Sequence, residues 1–356
     1  MTTYRDAGVD IDAGDAASAA AYAHAMATFP GRRGRIGAPV EDAGGFAGLL
    51  DMGGYYLVQN DDGTGSKMEL ACAMQQYDTI GYDLLAMVAD DAICMGAEVI
   101  SVSNTLDVPS VDPVMADQLL ASLSQACREQ HIVIPGGEIA EVPGAVTSPV
   151  WNATAIGIVA KDRVLKPETI APGDRVLALR SGVIRSNGFS LVRKILTDAF
   201  GKEWHTTPWK NGMTWGEVML TPSILYHGAM LTLLGRYGEK RAVEVKGIAH
   251  ITGGGIAGNL RRVLKKSGMG AELPHLWEPH DAVKDLIELG SVNIEEAYRT
   301  WNMGNGMLVV VRPEDGERAT VLLTKAGISV REAGVITKEP TIVVKTYPGE
   351  ALNYES

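Results

Sequence analysis

Short β-prone runs alternate with longer segments of helical period along most of this chain, and that alternation is what most narrows its fold. Tyr55–Gln59, Glu98–Asn104, His131–Ile134 and Trp151–Ala160 read as strands, and Met68–Tyr77, Asp78–Met95 and Pro113–Gln130 as helices. Gly96 is placed to end the second of these helices. An Ala-rich helix, Ala16–Thr28, precedes them, with Asp15 as its expected cap. The pattern resumes after Lys166-Pro-Glu-Thr-Ile-Ala-Pro-Gly173 with a strand at Arg175–Leu179. Helices near Phe189–Leu196, Pro222–Tyr237 and Val283–Leu289 and a strand at Met307–Val311 follow. Interleaving of this kind predicts an α/β fold. A length of 356 residues suits two domains, expected at 1–165 and 166–356.

Composition narrows the partners. Lys and Arg number 32 against 43 Asp and Glu, a net charge of −11. Such a field repels nucleic acid unless a local basic patch overrides it, and none is visible. Arg32-Arg33 and Arg261-Arg262 read as surface or local anion contacts. Cys72, Cys94 and Cys127 fit neither a metal site nor a disulfide framework, so free thiols in a reducing compartment are expected. The start, Met-Thr-Thr-Tyr-Arg-Asp, lacks the order of a signal peptide, and no run approaches the roughly 18 apolar residues of a membrane span. The expectation is a soluble cytoplasmic protein with neither nucleic acid nor membrane as partner.

The stretch VQNDDGTGSK at 58–67 ends with a glycine and a lysine as a phosphate-binding P-loop does, but Met68 stands where that motif needs Ser or Thr after the lysine. Two acids, two glycines and a lysine remain at the end of an apolar strand. In the following helix Leu84, Val88, Asp91 and Met95 recur at spacings of four, three and four, which puts Asp91 on the apolar stripe. Asp83 and Asp90 fall about 100° away, facing solvent if the helix lies at the surface. Glu138 and Glu141 follow Pro135-Gly136-Gly137. If these acids converge with Asp61 and Asp62, hard oxygen ligands for Mg2+ result; the alternative is that DDG and PGGE are ordinary turns. Lys67 would neutralise phosphate beside such an ion, or else face solvent. Ser186-Asn187-Gly188 and Gly253-Gly254-Gly255 each precede a helix, where free N–H groups can receive an anion. A structural glycine turn is the other reading. His250 can orient substrate or move a proton, or serve as a hydrogen-bonded structural residue.

YRDAGVDIDAG at 4–14, DGTGSK at 62–67, PGGEIAEVPG at 135–144, SNGFSLVRK at 186–194, AHITGGG at 249–255 and YRTWNMGNGM at 298–307 occur in one order over roughly 300 residues. In these segments the chain resembles the aminoimidazole ribonucleotide synthetase family, also called phosphoribosylformylglycinamidine cyclo-ligases. The resemblance implies two mixed-sheet α/β domains, with N-terminal strands pairing across a homodimer. It implies ATP and Mg2+ as cofactors and a small ribonucleotide substrate. The reaction would be closure of the imidazole ring in purine synthesis, through phosphorylation of the formyl oxygen. Carried over by motif, metal ligands fall on Asp62, Asp91 and Glu138, with Glu141 close by. Nucleotide contacts fall on Asp62, Gly63, Gly65, Ser66, Lys67, Gly136, Gly137 and Glu138. Substrate contacts fall on Ser186, Asn187, Gly188, Gly253, Gly254 and Gly255, and the catalytic set is Lys67, Asp91, Arg185 and His250.

The chain departs from the family pattern at several points. Arg185 replaces a histidine, Asp90 an asparagine, Ile139 a threonine and Asn152 an aspartate. Arginine cannot act as a base at neutral pH, although its fork would hold an anion well. Asn152 and Asp90 suggest a compensating exchange of charge. Rival functions are a thiamine-monophosphate kinase or selenophosphate synthetase, a cyclo-ligase relative acting on another small molecule, or a non-catalytic nucleotide-binding regulatory subunit.

Overall fold

The computed structural model describes residues 2–40 and 46–356. Six strands form a first sheet: β1 (Ala38–Pro39), β2 (Gly48–Asp51), β3 (Tyr55–Gly63), β4 (Glu98–Val108), β5 (Gly137–Glu141) and β6 (Val150–Ala160). Their spatial order is β1-β2-β3-β6-β4-β5, antiparallel except for the parallel β4–β5 pair. Seven strands form a second sheet: β7 (Arg175–Arg180), β8 (Val245–His250), β9 (Gly270–Leu273), β10 (Asn305–Val311), β11 (Val330–Thr337), β12 (Thr341–Lys345) and β13 (Ala351–Glu355). Here the order is β13-β12-β9-β11-β7-β10-β8, with only β9–β12 parallel. Both sheets are therefore mixed, and the α/β expectation holds.

The helices are α1 (Ile11–Thr28), α2 (Lys67–Met74), α3 (Ile80–Ile93), α4 (Pro113–Gln130), α5 (Phe189–Phe200), α6 (Trp215–Met219), α7 (His227–Leu234), α8 (Gly255–Leu264), α9 (Asp281–Leu289), α10 (Ile294–Thr300) and α11 (Gly316–Lys325). α1 starts earlier than its alanines suggest, because Asp10 rather than Asp15 caps it, accepting from the Ala13 N–H. α4 matches its predicted limits. Asp112 accepts from the Val114 and Met115 N–H groups, Pro113 opens the helix, and His131 closes it with φ 59°. That turn consumes the start of the predicted strand at His131–Ile134, which reduces to one bridge between Ser101 and Val133. The strand that does form, β5, contains the Gly137-Glu138 part of PGGE. PGGE is thus not a simple turn.

α3 positions the site. It crosses the first sheet over β3 and β6, packs on α4, and meets α7 and β8 from the second half. Gly81 allows the close approach to α4, since a Cβ there would lie 2.1 Å from the Leu123 nitrogen. All its residues except Tyr82 and Asp91 are buried. A helix enclosed on all sides needs no single apolar stripe.

Candidate active site

Three carboxylates on α3 face partners from elsewhere in the chain. Helical phase predicts Asp91 as the most buried; the structure reverses this. Asp83 and Asp90 are 0% exposed, whereas the Asp91 side chain is 16% exposed. Enclosure of α3 by the second half explains the reversal, because polar groups from that half cover the face that periodicity assigns to water.

Asp83 Oδ1 accepts from the Ser223 N–H at 3.1 Å and the Ser223 hydroxyl at 2.5 Å. Lys67 completes the cluster, its Nζ 2.9 Å from the carboxylate and donating to the Thr221 carbonyl at 2.7 Å. Lys67 is also fully buried. Burial pulls its pKa down and Asp83 acts in the opposite direction. The expected phosphate-side lysine is therefore a strut between α2, α3 and the 221–223 segment. An ammonium without water needs a fixed anion, and Asp83 supplies it.

Asp90 accepts from the Tyr226 and His227 N–H groups at 3.1 and 3.0 Å, and from Arg185 Nη2 at 2.5 Å. Burial raises its pKa, with Arg185 opposing. Arg185 also donates to the Ile224 carbonyl at 3.2 Å and to His250 Nε2 at 2.5 Å. Guanidinium has no acceptor, so His250 Nε2 accepts, and Nδ1 carries the proton. Nδ1 donates to Asp91 Oδ1 at 2.7 Å. A four-residue chain, Asp90–Arg185–His250–Asp91, thus joins the two halves. Arg185 is 4% exposed, so the anion anchor expected of it is not what the structure presents. The supposed exchange between Asn152 and Asp90 is also corrected. Asp90 is matched by Arg185, and Asn152 sits beside Gly63, where a Cβ would fall 2.1 Å from its Oδ1.

Asp62, at the end of β3, lies close enough to Asp91 to feel its charge. Burial first, and the Asp91 charge in addition, lift its carboxyl to about 6, against the Gly63 N–H that holds Asp62 Oδ1 at 2.7 Å. Asn60 donates to Asp91 Oδ2 at 3.5 Å. Glu138 and Glu141 do not join this pair within one chain. Asp62 pairs with Ala153, Ala153 with Asn104, and Asn104 with Gly137. Three strand spacings, about 14 Å, thus separate Asp62 from the start of β5. Among the described residues no three His, Cys, Asp or Glu side chains are placed to hold one metal ion. Glu141 instead accepts from the Val111 N–H at 3.1 Å. Gly137 has a local reason to be glycine, since a Cβ would come 2.8 Å from Asn104 Nδ2. Nothing comes within 4 Å of a Cβ at Gly136.

The glycine elements converge on the other side. Gly65 turns with φ +58°, and the Ser66 and Ser190 hydroxyls lie 3.1 Å apart, joining this turn to α5. Gly188 opens α5 with φ +77° and lies against Trp301, whose Nε1 donates to its carbonyl at 3.1 Å. Asn187 precedes it, and the buried Ser186 hydroxyl has no protein partner. Gly254 opens α8 with φ +92°, and a Cβ on Gly255 would meet the Tyr298 carbonyl at 1.7 Å. Asn259 donates to the carbonyls of Gly253 and Gly255 at 3.3 and 2.8 Å, which fixes the turn.

Several of these partners escape sequence reasoning. Tyr226 and His227 contribute through backbone N–H groups, which carry no side-chain signature, and Ser223 adds its hydroxyl to its N–H. Asn259 is detectable in principle, four residues beyond Gly255 on the same helix face. Tyr4 also reaches the site. Its N–H donates to Glu296 at 2.9 Å, and its phenol lies by the Gly188 backbone.

Residues 44–159 match the family described as AIR synthase related protein, N-terminal domain, and residues 171–346 match the C-terminal domain of the same description. A phosphoribosylformylglycinamidine cyclo-ligase of Thermococcus kodakarensis is 37% identical over 347 residues, covering 98% of this chain and 99% of the relative. This chain belongs to the cyclo-ligase family. A Chromobacterium violaceum member of the family is 36% identical over 341 residues, 94% of each chain. Among solved structures, E. coli HypE aligns with TM-score 0.62 at 16% identity over 84% of this chain and 85% of its own. T. maritima PurL complexed with FGAR aligns with TM-score 0.59 at 17% identity, over 89% of this chain and 48% of that one. These two likenesses show the fold the family shares with them.

Proposed function

We propose that this chain is an ATP-dependent cyclo-ligase that closes formylglycinamidine ribonucleotide to aminoimidazole ribonucleotide. The observation that carries this reading is the family match across both halves, at 37% identity and 98% coverage. When bound, Mg-ATP supplies the phosphoryl group that turns the formyl oxygen into a leaving group.

Asp62 and Asp91 would hold Mg2+. The fit rests on two half-buried carboxylates close enough that the Asp91 charge helps to raise the Asp62 carboxyl, and Mg2+ commonly takes one or two protein carboxylates beside water and phosphate oxygens. His250 orients Asp91. The Gly63, Gly65 and Ser66 turn flanks the nucleotide, while the free N–H groups at the starts of α5 and α8 receive the anionic ribonucleotide. Lys67 fixes α2 against α3 through Asp83. Catalysis of this type rests on positioning and charge stabilisation more than on strong bases, which suits a site with one histidine.

Gly136, Gly137 and Glu138 reach a nucleotide at Asp62 through a second subunit, in a homodimer whose N-terminal strands pair across the interface. The exposed Ile100, Ile139 and Val150 on the first sheet support that arrangement. Two domains divide at 165/166, between the strands of the two sheets. Three free cysteines favour a cytoplasmic enzyme, and no helix among the described residues is long and apolar enough to cross a membrane.

The test is to mix protein, Mg-ATP and formylglycinamidine ribonucleotide. Aminoimidazole ribonucleotide and ADP should appear in equal amounts. ATP binding without substrate-dependent turnover would overturn the reading.

A further inference from the structure

We infer that Arg185 is a positioning residue: clamped by Asp90, it sets the His250 ring and, through it, the Asp91 carboxylate, so that the site is assembled only when the two halves of the chain are docked. The inference rests on the cyclo-ligase reading for its activity readout alone.

The contacts leave Arg185 little freedom. One terminal nitrogen serves Asp90 and the Ile224 carbonyl, the other serves His250, and the guanidinium stands 5.1 Å from the centre of the Tyr226 ring. With 4% of its surface exposed, a substrate phosphate reaches this fork only by displacing Asp90. Asp90 is itself held by two backbone N–H groups at the start of α7. The pair is therefore tied to the fold at both ends. Its one outlet towards the metal-binding side is His250 Nε2.

That outlet has a defined consequence. Because arginine only donates, it forces Nε2 to accept and Nδ1–H to point at Asp91. Without that donor the ring keeps no preference between its two orientations, and Asp91 loses its fixed partner. Without Asp90, the guanidinium is buried with no anion. Neither member works alone, which also accounts for Asp90 and Arg185 departing together from the family pattern.

A double-mutant cycle of Arg185→Gln and Asp90→Asn tests this. In the double variant Gln can donate to His250 and accept from Asn at position 90, whereas in the single variant the intact Asp90 carboxylate draws the amide donor away from His250. Each single variant should lower the urea midpoint and cut kcat at least tenfold, with ribonucleotide KM within about twofold. The double variant should recover most of both losses. In wild type the 15N spectrum should show His250 with one protonated and one accepting ring nitrogen, a pattern lost in Arg185→Gln. A tenfold rise in ribonucleotide KM at unchanged kcat would make Arg185 an anion anchor and overturn the inference, as would single-variant losses that merely add. If wild type shows no turnover, the cyclo-ligase reading fails, while the unfolding cycle and the 15N pattern still decide the role of Arg185.

Discussion

Lys67 Nζ lies 2.9 Å from each oxygen of the Asp83 carboxylate, and neither side chain is exposed to water. Breaking a buried pair strands the remaining charge, at about 3–5 kcal/mol. Lys67→Met should lose stability on that scale by urea unfolding at pH 7.5. Adding Asp83→Asn, which keeps an acceptor for Ser223, should restore a substantial part. A Lys67→Met protein of normal stability with weakened nucleotide binding would return this lysine to the phosphates.

Asp62 should behave as a group that serves binding at the expense of the fold. Its folded-state pKa is raised to about 6 from 3.8, so the folded form holds the proton more tightly. Stability is then lost as pH rises from about 4 through 6, by up to about 3 kcal/mol. Asp62→Asn should stabilise the ligand-free protein at pH 7.5, should have little effect near pH 4, and should weaken Mg-ATP binding at least tenfold. Calorimetry at the two pH values, with and without Mg-ATP, reads all three.

His227 gives the opposite pH dependence. Its Nε2 accepts from the Val99 N–H at 2.9 Å, and burial pushes its pKa down to about 3. A depressed histidine favours folding fully above about pH 6.5, and the advantage fades as pH falls towards 3. The slope is about 1.4 kcal/mol per pH unit. His227→Gln should flatten that slope between pH 6.5 and 5 in denaturant titrations; an unchanged slope would show that other groups set it.

Two glycines should separate strain from packing. Gly188 has φ +77°, and a Cβ there would lie 2.5 Å from Trp301. Gly188→Ala should cost about 2–4 kcal/mol and raise ribonucleotide KM. Gly258, inside α8, has nothing within 4 Å of a Cβ, so Gly258→Ala should be neutral or stabilising by up to about 1 kcal/mol. Melting temperatures and KM values for both variants check the contrast.

How far the sequence discloses this structure depends on which physical signal carries each feature. α4 is legible to the residue because Asp112, Pro113 and the terminal His131 are local signals, complete in sequence. β5 is not, because its pairing with β4 is non-local and its glycines read as a turn. At the site, the motifs name Asp62, Asp91 and His250, and the structure gathers these three. Lys67 and Arg185 are also legible as important, but their roles are not: each is decided by a partner, Asp83 or Asp90, that periodicity places towards water. Enclosure by a distant part of the chain reverses that face, and no window of neighbouring residues contains the information.

Because α3 meets most of its polar partners at residues 185, 223–227 and 250, synthesis order matters. A ribosome making this chain releases Asp83 and Asp90 more than a hundred residues before Ser223, Tyr226 and His227 emerge. Until then the helix cannot shed its hydration on that side, and the N-terminal sheet waits with one face of its central helix wet. Completion of the Asp90–Arg185–His250–Asp91 chain is therefore a late event in the life of each molecule.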